Sequence, residues 1–152
     1  MTQPVAFDTT TPRHSFAMLA AGQAQRELFV NEALARIDAL LHAAIEGEAS
    51  APPIDPVPGE CWLVQAPATD DWQGHEGALA SWDGTQWTFC KPVDGMHVVD
   101  RSSGGRIAYV DGWRRAARPD LPSGGATVDA EARAAIAAIV DMLATLAIFP
   151  SD

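Results

Sequence analysis

The residues whose types and spacing could do chemistry are the tryptophans and the acids beside them. The stretch SWDGTQWTF, Ser81 to Phe89, sets two tryptophans around an Asp-Gly pair, and YVDGW, Tyr109 to Trp113, nearly repeats it. An indole laid bare on a hairpin offers an apolar face with a polar tip, the surface on which a sugar ring stacks. Trp72 sits in the polar stretch ATDDWQGHEG and reads as the tryptophan most exposed. With the hydrogen-bonding groups of Asp71 and Gln73 it forms the candidate carbohydrate-binding site, since loops carry binding residues more often than core strands. For Trp82 and Trp87, side-chain parity argues instead for core. A two-residue type I′ turn at Asp83-Gly84 pairs Trp82 with Thr85. Trp82, Thr85, Trp87 and Phe89 then share a face with Ala78 and Ala80, opposite the more polar Ser81, Gln86 and Thr88. In the echo, a turn at Asp111-Gly112 pairs Val110 with Trp113 and leaves Tyr109 on the other side.

No catalytic constellation accompanies these aromatics. The chain has no G-x-S-x-G elbow, no phosphate-cradling glycine loop and no H-E-x-x-H helix. Asp70 and Asp71 are adjacent, whereas paired catalytic carboxylates must approach a substrate from opposite sides. Cys61 and Cys90 form no C-x-x-C pair, and His14, His42, His75 and His97 are isolated from one another. The expectation is a protein that is not an enzyme and holds neither metal nor cofactor. A net charge of −10 repels phosphate, which argues against a nucleic-acid partner. The late arginines (Arg101, Arg106, Arg114, Arg115, Arg118) read as solvated charge. No apolar run reaches the roughly 18 residues that a membrane span needs. The N-terminus lacks the basic-then-apolar order of a signal peptide, so assembly in the cytoplasm is expected.

Five segments would position these groups. Residues 1–14, rich in Thr and Pro, read as an extended arm, either disordered or tied down by a neighbouring subunit. Residues 15–48 hold a long helix, expected from just after Gly22 to Gly47. Val30, Leu34, Ile37, Leu41 and Ala44 recur along it at steps of three and four. That stripe fits a helix packed on its own sheet or on another copy of the chain, and both stay open. Residues 49–59, with four prolines, form a stiff linker. Residues 60–118 carry closely spaced short strands, which imply an antiparallel module. Residues 119–152 hold a second linker and a helix capped by Thr127 or Asp129. Along that helix run Ala132, Ile136, Ile139, Leu143 and Leu146 at heptad spacing, and isoleucine at consecutive seam positions favours trimers or higher oligomers. The fold class expected is α+β: a long N-terminal helix, a small antiparallel β sheet or barrel, and a C-terminal helix, with the helices as self-association elements. The interface residues expected are Val30, Leu34, Ile37, Leu41, Ile136, Ile139 and Leu143.

The stretches GQAQRELFVNEALARIDAL, PGECWLV, DDWQGHEGALASWDGTQWTFCKPVDGMHVVD and YVDGW resemble a domain family of unknown function. Its members occur in prophages and gene transfer agents, in or beside tail-fibre and spike proteins. The likeness spans roughly Leu19 to Trp113, and its most specific parts are the G-Q-A-Q…N-E-A-L helix and the W-D-G-x-x-W hairpin. It implies a virion structural protein: a fibre or spike subunit, or its base, that helps host attachment and is released within a phage-like particle. Trimers are common among such proteins. The implied partners are further copies of the chain, capsid, baseplate or fibre proteins, and cell-surface polysaccharide. A chain this short has no repetitive shaft and no large distal domain, which suits an attachment or base piece. The alternative is a small carbohydrate-binding module that uses the aromatics of the β part.

Overall fold

A computed structural model describes residues 9–20, 22 and 26–150. The first eight residues of the expected arm, and residues 23–25 at the expected start of the first helix, lie outside the described residues. Two helices and eight strands are found among those described, so the fold is mainly β with a C-terminal helix rather than α+β. The chain divides into two compact units, Met1–Pro92 and Val93–Asp152.

In the first unit, helix α1 spans Arg26–Leu40, only 15 residues, and ends well before Gly47. The cause is an arginine far upstream. Arg13 Nη1 donates to the carbonyls of Asp38 (3.2 Å) and Ala39 (2.8 Å), and Nη2 donates to that of His42 (2.9 Å). A continuing helix would offer the Asp38 and Ala39 carbonyls to residues 42 and 43. His42 instead turns left-handed at φ 53°, and strand β1, Ala44–Ile45, follows.

The described part of the arm, residues 9–14, is tied down by its own chain. Thr10 and Ala17 pair across a tight turn, and the turn closes over the Asp38 carboxylate. Asp38 Oδ1 accepts from the Thr11 hydroxyl (2.8 Å) and the His14 N–H (2.7 Å), while Oδ2 accepts from the Arg13 N–H (2.9 Å). Burial pushes this acid's pKa up, but the hydrogen bonds from Arg13, Thr11 and His14 outweigh it and hold the carboxyl below its ordinary value.

The sheet of this unit runs β2 (Glu48–Ala49), β3 (Cys61–Val64), β4 (Leu79–Trp82), β5 (Trp87–Cys90). It is mixed, because β2 pairs with β3 in parallel, and no barrel closes. Parallel neighbours need a crossover of about a dozen residues. Here the Pro-rich segment after Ala49 provides it as extended chain instead of helix.

The hairpin loop is wider than a type I′ turn. Trp82 pairs with Trp87, so Asp83 to Gln86 form a four-residue loop. Asp83 Oδ1 holds it open by accepting from the N–H groups of Thr85 (2.7 Å) and Gln86 (2.9 Å) and from the Thr85 hydroxyl. Two added residues leave parity intact, so Trp82, Trp87 and Phe89 still share a face with Ala80. The opposite face, expected to be the more polar one, is buried as well. Cys61, Leu63, Leu79, Ser81, Thr88 and Cys90 are all buried there.

In the second unit, β6 (His97–Asp100), β7 (Arg106–Tyr109) and β8 (Trp113–Arg115) form an antiparallel meander. Tyr109 pairs directly with Trp113 across a three-residue loop, their rings 5.2 Å apart, so the two aromatics share a face after all. Both Asp111 and Gly112 adopt positive φ in this loop. At the other end of the meander, Asp100 is sealed from water and accepts from the Ser102 N–H (2.9 Å), the hydroxyls of Ser102 (2.7 Å) and Ser103 (2.8 Å), and the Arg115 guanidinium. Helix α2, Ala130–Thr145, is capped by the Asp129 side chain on the Ala132 N–H. After it, Phe149 is buried and Pro150 lies on Gly105.

Two expected outcomes follow from this unit. Burial pushes the Asp100 pKa up, yet hydrogen bonds from Ser102, Arg115 and Ser103 carry it down from 3.8 to about 2. A carboxyl depressed on folding stabilises the protein above its unfolded pKa and loses that contribution as pH falls through the folded value. About 2 kcal/mol of stability should therefore vanish between pH ~4 and pH ~2. Urea melts of wild type and Asp100→Asn across that range should converge at the acid end. In Gly105→Ala, the new Cβ would stand 2.9 Å from the Pro150 backbone nitrogen. The Phe149-Pro150 segment must then shift, at about 1–3 kcal/mol in denaturant unfolding, with fluorescence of an added hydrophobic dye rising as Phe149 is released.

Candidate functional site

Three features of the structure carry candidate function: an aromatic cluster, a groove and two uncovered helix faces. The aromatic face of the first sheet is roofed by the loop from Gln65 to Gly77, whose short 3₁₀ turn Asp70–Trp72 drives Trp72 inward. Trp72 is 0% exposed, contrary to the expectation of an exposed loop tryptophan. Its ring meets Trp87 edge-on at 5.2 Å, and Trp87 meets Trp82 at 5.0 Å. Val64, Ala68 and Ala80 complete this cluster, with Trp62 and Phe89 at its margin. Asp71 and Gln73 do stay exposed on either side, but they flank a ring that presents no face to a sugar. The physical reason is size: the sheet's own side chain at the centre of this face is Ala80, and an indole from the loop fills the space above it.

The groove lies between α1 and β5 and has a volume of about 840 Å³. That is within the range of about 300–1,000 Å³ typical of ligand clefts. Leu28, Ala35 and Leu40 of the helix and Trp87 and Phe89 of the strand give it apolar walls, and Met18 closes one part of it. Its charged groups are Glu32 and Arg36, which pair with each other at 2.7 Å, together with Asp83 and Lys91. Asp83 is already engaged in holding the hairpin loop. His75 stacks on Phe89 with ring centroids 3.6 Å apart and 8° between planes, which fixes the Phe89 ring. The hairpin residues Asp83, Gln86, Trp87 and Phe89 were singled out from the sequence, but not as the wall of a groove. The groove joins residues more than fifty positions apart, so only the fold brings them together.

The Cys90 and Cys61 thiols are buried, and burial pushes Cys61 up to about 12, which keeps it protonated and unreactive at neutral pH. Among the described residues, no group of three or more His, Cys, Asp or Glu side chains is placed to hold a metal ion. No described helix is long and apolar enough to cross a membrane.

The interface residues expected from sequence fall mostly on open surface. Val30, Ile37 and Leu41 of the first segment are exposed, with Phe29 at 75% and Leu40 on the same side, while Leu34 is half-buried. The side of α1 that turns inward carries Asp38 and Ala39. On α2, Ile136, Ile139, Met142 and Leu146 are exposed on one side, Leu143 is half-buried and Val140 is buried. Both helices thus show apolar sides to solvent.

No curated protein and no solved structure matches the chain. Residues 30–114, more than half of its length, match the family described as "Protein of unknown function (DUF2793)". That span takes in most of α1, the whole first sheet with its aromatic cluster, and the meander of the second unit. The chain therefore belongs to the DUF2793 family.

Proposed function

We propose that the protein is a structural subunit of a phage-like particle, a fibre or spike component or its base, that assembles through its helices. The observation that carries this reading is the pair of uncovered apolar helix faces. An exposed apolar patch of several side chains on one element marks an interaction site more often than free surface. On α2 the uncovered residues include Ile136 and Ile139, and β-branched side chains at successive seam positions favour a threefold or higher assembly over a dimer. The resemblance of the WDGTQW hairpin and the GQAQRELFVNEAL helix to proteins found beside tail fibres supports the particle setting. Other particle proteins are the partners this reading expects, with assembly in the bacterial cytoplasm before release.

The carbohydrate alternative drew its platform from Trp72, and with that ring enclosed it has no comparable support. Trp82 and Trp87 are half-buried against one another rather than laid side by side on a surface.

The test is the mass in solution. Light scattering after gel filtration should return three times the 16.1 kDa chain mass, or a higher multiple. Ile139→Asp places a charge on the exposed side of α2 and should weaken association at least ~100-fold, since an unpaired buried charge costs several kcal/mol. Its circular dichroism should remain that of wild type, because Ile139 is exposed within the protomer. A monodisperse monomer at ~50 μM would remove the oligomeric reading, because it would put the dissociation constant above that concentration. Antibody labelling of purified phage-like particles in the electron microscope tests the particle setting separately.

A further inference from the structure

We propose that the outer face of the meander formed by β6, β7 and β8 is a contact between copies of the chain, on which Arg106 and Arg114 take the Asp70-Asp71 turn of a neighbouring copy. This rests on the assembly reading and deepens it, adding to the helix faces a contact whose two sides differ.

The register fixes which residues share that face. His97 pairs with Ala108 and Ala108 with Arg114, while Val99 pairs with Arg106. Directly opposed residues, and residues two apart along a strand, point to one side of a sheet. His97, Val99, Arg106, Ala108 and Arg114 therefore form one face, and none of the five is acidic. Val98, Asp100 and Ile107 on the other face are buried, whereas His97, Arg106 and Arg114 are exposed. The late arginines, read from sequence as solvated charge, thus divide. Arg115 is held by Asp100 and Arg118 by Asp141. Arg106 and Arg114 have no hydrogen-bond or ion-pair partner among the described residues. They are diagonal neighbours, so their stems rise about 7–8 Å apart beside the small Ala108 side chain.

The complementary surface is on the same chain. Residues 1–92 carry twelve acidic and four basic side chains, against eight and six in residues 93–152. Within the first unit, the Asp70–Trp72 turn is anchored by its own tryptophan. Successive side chains of a 3₁₀ turn point about 120° apart. With Trp72 driven inward, Asp70 and Asp71 both project outward, and both are exposed. The Asp70 carboxylate accepts only the Thr69 hydroxyl (3.1 Å), and that of Asp71 has no partner among the described residues. Two splayed carboxylates on an anchored turn match two splayed guanidiniums on a flat sheet face, and guanidinium–carboxylate pairs are among the stronger polar contacts.

Copies that each carry −10 repel one another at a distance, but at physiological ionic strength the screening length is about 8 Å. Charges in contact then matter more than net charge. The meander face is a place where this acidic chain can meet itself without setting like charges together, and such complementarity fixes orientation more than it adds affinity. Because its two sides differ, the contact is heterologous, and its repetition about a rotation axis closes a ring. It suits the threefold or higher assembly expected from α2, with one such junction between each pair of neighbours.

The test is zero-length coupling of amine to carboxylate by a water-soluble carbodiimide, applied to full chains carrying Arg106→Lys or Arg114→Lys. Each variant keeps the charge and places an amine on the face. At the concentration used for light scattering, a covalent dimer should appear on a denaturing gel. Mass spectrometry should place the new amide bond between the substituted position of one chain and Asp70 or Asp71 of another, and mixed isotope-labelled and unlabelled chains separate such links from links within one chain. Charge reversal reads the same contact without coupling. Arg106→Glu with Arg114→Glu should raise the concentration needed for assembly at least ~10-fold, because like charges then meet. Asp70→Asn with Asp71→Arg should do the same, asparagine being suited to the left-handed backbone at φ 54°. An equimolar mixture of these two double variants should assemble at a lower concentration than either alone, and each should keep the circular dichroism of wild type, since all four positions are exposed. Three results would overturn the proposal: no coupling from either position, coupling only within one chain or to other carboxylates, or a mixture that assembles no better than its components. If coupling fails while light scattering still returns an oligomer, this contact alone is wrong; if the chain is also monomeric, the assembly reading falls with it.

Discussion

One sealed carboxylate decides how the first unit is put together. Asp38 faces inward from α1 and collects a hydroxyl and two backbone N–H groups from the Thr11 to His14 turn, with the His14 ring 3.1 Å away. A buried charge without such partners would be costly, so the arm and the helix must come together or not at all. Arg13, delivered by the same turn, then takes the last carbonyls of α1 and stops the helix. Near the start of α1, Asn31 does similar work, accepting from the Leu19 N–H (2.8 Å) and donating to the Leu19 carbonyl (3.0 Å). Asn31 and Asp38 lie seven residues apart, hence on one side of the helix. That side is polar and it faces the protein. The apolar side, with Phe29, Ile37 and Leu40, is turned to water by the same rotation.

This inversion explains why sequence pattern read the first helix correctly in kind and wrongly in extent. Periodicity reports which residues share a face, and Val30, Ile37 and Leu41 do share one. It cannot report that two polar residues, through partners at Thr11, Arg13 and Leu19, outcompete that face for the interior. The early stop at Leu40 depends on a hydrogen-bonding group 25 positions upstream, so Gly47 looked like the natural terminus. The Asp129 cap, by contrast, acts three residues away and was readable as one of two choices.

Strand-level reading fared similarly. Parity is a local property, and the grouping of Trp82, Trp87 and Phe89 survived a turn two residues longer than expected, because an even insertion preserves face. In the echo the insertion was odd, one residue, and Tyr109 changed sides. The parallel pairing of β2 with β3 and the inward position of Trp72 arise from tertiary demand. A polar loop composition, ATDDWQGHEG, correctly announced a turn but concealed the indole that fills the space over Ala80. The groove was invisible for the same reason, being made of an edge and a helix that only the fold sets side by side.

The remaining question is why a fold would leave these apolar groups uncovered. Helices of 15 and 16 residues are near the length at which isolated helices are marginal in water, and packing of an apolar side normally makes up the difference. Of the residues of α2, only Val140 is fully buried. Its Ile136, Ile139 and Met142, with Leu146 just beyond it, gain nothing until another surface covers them. An open strand edge carries a different hazard, uncontrolled pairing with other chains. Helix α1 packs against β5, and a helix laid on an edge strand is one way in which a sheet limits such pairing.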